Sequence, residues 1–152
     1  MKIAFRFPGI FFYTDALPAS SGGVANAFVI RIRPKYQEDE GIHQHELYHV
    51  RNWYLVTFVS FALLGLGFWA FRPWWIMMAL PLPLLVDPIL YLIPIFRQWE
   101  EIAAYKTQLR YPPASNDTGR YAALYARFIA ENYGLGISEG EAFEKLGGGK
   151  AG

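Results

Sequence analysis

Apolar residues fall in blocks along this chain. From Trp53 to Phe96 only Arg72 and Asp87 carry charge, whereas both flanks mix charged and apolar positions. Tyr54 to Phe71 is an uncharged run of 18 residues. As a helix it extends roughly 27 Å, close to the thickness of a bilayer core. Arg72-Pro73 interrupts it, and a second apolar stretch, Trp74 to Phe96, carries Pro81, Pro83, Pro88 and Pro94. Prolines kink a helix but are better tolerated in lipid than in water. A domain this small cannot cover two such adjacent runs. The pattern therefore predicts a two-helix transmembrane hairpin over residues 54–96, with a soluble protein holding a buried helical hairpin as the alternative. Trp53, Trp69, Trp74, Trp75 and Trp99, near segment ends, suit interfacial aromatic belts.

The flanks predict the remaining elements. Residues 3–13 are aromatic-rich and form a short strand. Gly22-Gly23, after a Pro/Ser segment, marks a turn. Ala27 to Arg33 alternates apolar and polar at its end and is closed by Pro34, which reads as a strand at an edge or with one wet face. The acidic stretch Gln37 to Gly41 suits the N-terminus of a long helix. That helix runs from Ile42 through HQHELYHVRNW into the first apolar block. Beyond the hairpin, Arg97 to Leu109 continues as helix and Pro112-Pro113 stops it. Asn116-Asp117-Thr118 caps a helix over 119–132, and Tyr121, Leu124, Tyr125, Phe128 and Ile129 make its packing stripe. Gly134 ends it. Ser138 to Glu141 is a capping box for a last helix ending at Leu146, and the GGGKAG tail frays. The predicted fold class is α+β, mainly α, as a single domain over 1–152. It comprises a strand region (1–41), motif helices with the hairpin (42–110) and C-terminal helices (117–146).

Composition narrows the chemistry. A net charge of +1 supplies no field that would draw nucleic acid. With no cysteine, any metal site must use histidine and carboxylate. The N-terminal stretch does not read as a signal peptide, because Pro8 breaks its apolar run and Asp15 follows closely. Of the 14 Lys and Arg residues only Arg72 sits at the hairpin tip. The positive-inside rule then places both termini in the cytoplasm, for a protein integral to an inner or plasma membrane.

All three histidines, His43, His45 and His49, lie within seven residues. His45-Glu46-Leu47-Tyr48-His49 is an HExxH motif. On a helix its two histidines lie one turn apart on one face and can meet one Zn²⁺, while Glu46, at the edge of that face, can take a proton from a water activated there. A third ligand is needed. If two helices pair across Arg72-Pro73, residues whose numbers sum to roughly 145 oppose one another. His45 then faces the neighbourhood of Glu100 and Glu101, and His49 that of Phe96.

His45 to His49, followed by Glu101-Ile-Ala-Ala-Tyr105 on a second helix, resembles the gluzincin pattern of zinc peptidases. In that pattern the third ligand is a Glu with a small residue three positions later, here Glu101 and Ala104. Glu100 is the alternative. The arrangement is similar to minimal membrane-associated members, in which a transmembrane hairpin separates the two motif helices. The run IRPKYQEDEGIHQHELYHVRNW also looks like small phage-type proteins of this kind. The resemblance spans roughly residues 28–146, although its specific part is about a dozen residues. It implies hydrolysis of a peptide or protein substrate and a strand beside the site that pairs with that substrate. The sequence departs from the pattern at Tyr105, where gluzincins often carry an acidic residue that orients a ligand histidine; a tyrosine hydroxyl is a weaker partner. Tyr105, one turn after Glu101, is also a candidate for stabilising the oxyanion.

The other residues have plainer readings. His43, about 200° round the helix from His45, reads as a solvated histidine near the helix start. Tyr48 reads as packing. Asp87, deep in the second apolar block, is a functional candidate by its position, but Asp87-Pro88 also reads as the cap of a broken helix. The predicted function is zinc-dependent peptide hydrolysis at the cytoplasmic membrane surface, with substrate extended along Phe28 to Arg33. The competing reading is a membrane-anchored interaction or structural protein that keeps an inactive HExxH.

Overall fold

The computed structural model describes residues 2–18, 21–71, 78–112 and 118–148. Four strands, β1 (Lys2–Arg6), β2 (Gly9–Tyr13), β3 (Gly23–Asn26) and β4 (Val29–Ile32), precede five helices. The helices are α1 (Glu40–Phe71), α2 (Pro83–Tyr91), α3 (Pro94–Gln108), α4 (Thr118–Asn132) and α5 (Glu139–Lys145). The architecture is α+β and mainly helical, as the sequence predicts.

The sheet has the order β1-β2-β4-β3. Two antiparallel hairpins, β1–β2 and β3–β4, join through a parallel β2–β4 pairing. The single strand expected over 3–13 is thus a hairpin, turned at Phe7-Pro8, whose peptide bond is cis. Gly23, expected in a turn, opens β3. The strand expected at an edge, β4, is internal and paired on both sides. Its alternation reflects one wet face of the sheet: Ile30 and Ile32 are fully buried, while Val29 and Arg31 are half-buried. The free edge on this side is β3. A two-residue turn links β3 to β4, with Ala27 in the left-handed region at φ 52°.

Phe11, Tyr13, Ile30 and Ile32 face Leu47 and Val50 of α1. Each such burial contributes about 1.5–3 kcal/mol, which seats the motif helix on the sheet. Asp39 starts that helix by accepting from the Ile42 N–H at 3.1 Å. His43, expected in solvent, is instead 3% exposed. Its Nε2 meets the Tyr13 hydroxyl at 3.0 Å and its Nδ1 lies 2.7 Å from the Asp39 carbonyl. The sheet covers the face of α1 that an isolated helix would leave wet. Gly41 allows close approach of the chain after α3, since a Cβ there would lie 2.8 Å from the Tyr111 carbonyl oxygen.

α1 runs 32 residues without a break. Its outer part, from Tyr54 onward, is apolar and largely uncovered: Leu55, Phe58, Leu63, Leu66 and Trp69 are exposed. Among the described residues this is the one helix long and apolar enough to cross a membrane. The second apolar block departs from the single kinked helix of the expected transmembrane hairpin. It is broken into α2, only nine residues long, and the start of α3. Ile93 is extended, at φ −81° and ψ 118°, because Pro94 disfavours a helical residue before it. The expected hairpin tip, Arg72-Pro73 with Trp74 and Trp75, lies outside the described residues, as do the predicted cap residues Asn116 and Asp117 and the end of the glycine-rich tail.

Pro88 sits inside α2 and lacks the N–H that the Leu84 carbonyl would otherwise accept. The Trp53 indole donates to that carbonyl at 3.2 Å. Trp53 is therefore buried and holds α2 on α1, while Trp69 and Trp99 stay exposed.

A second core joins α3 to the C-terminal helices through Ile102, Tyr105, Tyr125, Ile129 and Ala142. The inner half of the predicted α4 stripe packs there, whereas Leu124 and Phe128 are exposed. Gly134 follows α4 at φ 58°, and the Ser138–Glu141 capping box opens α5 as predicted.

Candidate metal centre

His45 and His49 are one turn apart on α1, and Glu101 comes from α3, which packs antiparallel against it. The His45 and His49 Nε2 atoms are 3.3 Å apart. Glu101 Oε2 is 3.6 Å from His45 Nε2, and Glu101 Oε1 is 3.6 Å from His49 Nε2. A tetrahedral ion with bonds of about 2.0–2.2 Å holds its ligand atoms about 3.3–3.6 Å apart. The carboxylate approaches each imidazole through a different oxygen, and one ligand atom from each of the three side chains lies within 4.8 Å of the other two, close enough for one ion to gather them.

Two further observations fit a cation. Tyr91 donates to Glu101 Oε1, while the buried Oε2 makes no hydrogen bond of normal geometry, although the Tyr133 hydroxyl is near enough to act on the carboxylate. One oxygen is thus held and the other is left facing His45. His45 Nδ1 likewise makes no hydrogen bond of normal geometry, although the buried Gln108 side chain is near enough to act on the ring. Unpartnered buried atoms are costly unless something else satisfies them.

The electrostatics point the same way. Burial, reinforced by the His49 charge, holds His45 well below the ordinary imidazole range, so it is a neutral donor. Burial also disfavours charge on His49, but Glu100, Glu101 and Glu46 outweigh it and raise its pKa to about 9. Without a metal, one proton on His49 faces three carboxylates, a setting that a dication neutralises better.

Glu46 is 6% exposed. Burial raises its pKa to about 7, offset in part by the His49 charge and by a hydrogen bond from the Ala25 backbone. β3 comes this close because residue 23 is glycine: a Cβ there would lie 2.6 Å from Glu46 Oε1. The Arg33 N–H donates to the Gly22 carbonyl at 3.0 Å, and pairing alternates along an antiparallel ladder. By that alternation Gly23 and Ala25 direct their backbone groups away from β4, toward the site.

The site opens into a cleft of about 350 Å³. β3 and the Ala27 turn form one wall; Asp87, Pro88 and Tyr91 of α2 form the other, with Tyr133 closing one end.

The hairpin pairing rule puts the Glu100–Glu101 neighbourhood opposite His45, and in the structure Glu101 lies there, but His49 faces Glu100 and Glu101 rather than Phe96. Glu100 is fully buried on the Nδ1 side of His49, at 3.8 Å, away from the Nε2 atoms that converge. The Tyr105 ring packs edge-on against His45, with centroids 4.4 Å apart, and its hydroxyl pairs with that of Tyr133 at 3.1 Å. Tyr48 is half-buried and stands edge-on to His49. Asp87 caps nothing: it lies within α2, buried, and accepts from Asn52 at 3.2 Å.

Sequence reasoning missed Asn52, Tyr91, Tyr133 and the β3 edge. Asn52 had a signal, since it stands seven residues after His45 on the same helix face. No family model, curated protein or solved structure matches the chain.

Proposed function

We propose that this protein is a membrane-anchored, zinc-dependent peptide hydrolase working at the cytoplasmic membrane surface. The observation that carries the reading is the convergence of His45 Nε2, His49 Nε2 and Glu101 at 3.3–3.6 Å, with Glu46 alongside. Zinc at this position would polarise a scissile carbonyl and make water nucleophilic near neutral pH. Glu46 takes the proton from the attacking water and passes it to the leaving nitrogen. Its burial raises its proton affinity, which favours taking up that proton.

The substrate lies along β3 rather than β4, because among the described strands only β3 has an unpaired edge on the cleft. β3 runs from the level of Glu46, beside Gly23, to the Phe28–Trp53 contact, where ring centroids are 6.3 Å apart. Trp53 is where the apolar part of α1 begins, about 6 Å beyond His49. The edge thus leads from the metal to the membrane border, which suits extended segments just outside the bilayer. The exposed apolar surface of α1 after Tyr54 supports anchoring, with α2 and the start of α3 forming the return path and both termini in the cytoplasm.

The test is cleavage of an unstructured juxtamembrane peptide by purified protein in detergent or vesicles. Glu46→Gln should abolish turnover while zinc stays bound. Full activity in Glu46→Gln would remove the assignment.

A further inference from the structure

We infer that Glu100 is the carboxylate that orients His49 for the metal, and that Asn52 and Asp87 hold Glu100 in place; this rests on the metal reading above. The resemblance to gluzincins leaves this role open, because Tyr105 stands where an acidic residue is common. The Tyr105 hydroxyl is committed to Tyr133, so it does not fill the role.

Glu100 does so from the adjacent position. Its Oε1 lies 3.8 Å from His49 Nδ1, on the ring edge opposite the converging Nε2 atoms. A metal held by Nε2 would leave the proton on Nδ1, the nitrogen on the edge that faces this oxygen. At 3.8 Å the two are in ion-pair contact, and a hydrogen bond between them requires the ring to turn toward Glu100. An imidazole held in this way keeps one tautomer and one orientation and is a stronger donor.

Glu100 does not stand alone. Asn52, one helical turn after His49, donates to Glu100 Oε1 at 2.5 Å and to Asp87 Oδ1 at 3.2 Å. One amide thus clamps a carboxylate from α3 and one from α2 to the helix that carries both histidines. Asn52, Asp87 and Glu100 are all buried, so their mutual bonds are not exchanged with water. This gives the intramembrane-side Asp87 a purpose that capping does not. All three are positioning residues: none of them needs to touch substrate or metal.

Glu100→Gln is the informative variant, because it nearly keeps the volume, leaves one oxygen to accept from Asn52 and removes the charge facing His49. Zinc affinity is measured by chelator competition and the ligand field by the visible spectrum of the cobalt-loaded protein, beside thermal unfolding of the metal-free form. The expected result is a zinc affinity about 10–100-fold weaker with a shifted cobalt spectrum, partial recovery in Glu100→Asp, and unfolding close to wild type. Asn52→Leu should move the cobalt spectrum in the same sense. Wild-type zinc affinity and an unchanged spectrum in Glu100→Gln, with wild type loading normally, would overturn the inference and leave the metal site intact. A wild-type protein that takes up no zinc would overturn both.

Discussion

Zinc uptake should release a proton, and the site says from where. His45 is kept neutral by its burial, so it binds without deprotonation. His49 is protonated below a pKa of about 9, because Glu100, Glu101 and Glu46 outweigh the effect of its burial. Only the unprotonated ring can coordinate. Between pH 9 and 7 each unit of acidification should therefore weaken apparent zinc affinity about tenfold, or about 1.4 kcal/mol. Below about pH 7 protonation of Glu46 removes a neighbouring negative charge and steepens the fall. The metal-free fold behaves inversely. His49 has a raised pKa, so its ionic contacts stabilise that fold fully below the unfolded imidazole value of about 6.5 and are lost as pH rises through about 9. Titration calorimetry in two buffers of different ionisation enthalpy, at about pH 7.5 and about 8.5, should count at least about one proton released per zinc, the His49 proton adding to any lost by water at the metal. Affinity that stays flat between pH 7 and 9, with no proton released, would refute the charge state assigned to His49 or its role as a ligand.

Four further outcomes follow from the surroundings of single side chains. Gly23→Ala places a Cβ 2.6 Å from Glu46 Oε1 and should cost about 1–3 kcal/mol of local strain; turnover should fall at least tenfold with zinc retained, and unaltered kinetics would contradict the position given to Glu46. Leu63→Arg puts a charge midway along the exposed apolar part of α1, a change costing about 2.5–3.5 kcal/mol at a bilayer centre; the fraction resisting alkaline extraction from membranes should drop. Tyr105→Ala removes a ring shared by His45 and the C-terminal core and should destabilise by about 3–5 kcal/mol in thermal or denaturant unfolding. Tyr105→Phe loses only the bond to Tyr133, about 1 kcal/mol.

The parts of this protein legible in its sequence are those set by local rules. The HExxH spacing places His45 and His49 on one face whatever surrounds the helix, and the Ser138–Glu141 box starts α5 by its own hydrogen bonds. The return of the Glu100–Glu101 pair to the level of His45 was accessible too, because two antiparallel arms of similar length meet there. What could not be read depends on partners far away in sequence. β4 carries the alternation of a strand with one wet face, but nothing local reveals that β2 pairs with it in parallel and moves the free edge to β3. His43 looked solvated because only the fold brings Tyr13 to it. Pro88 announced a break; the indole of Trp53, 35 residues earlier, supplies the lost donor and keeps α2 helical. Glu100 read only as an alternative ligand until Asn52 and His49 were seen on either side of it.

The most direct test of the central claim is elemental analysis of zinc in protein purified in mild detergent, beside His45→Ala, His49→Ala and Glu101→Ala. The account predicts about one zinc per chain in the wild type and its loss in all three variants. No zinc in the wild type after reconstitution, or retention in the Glu101→Ala variant, would contradict it.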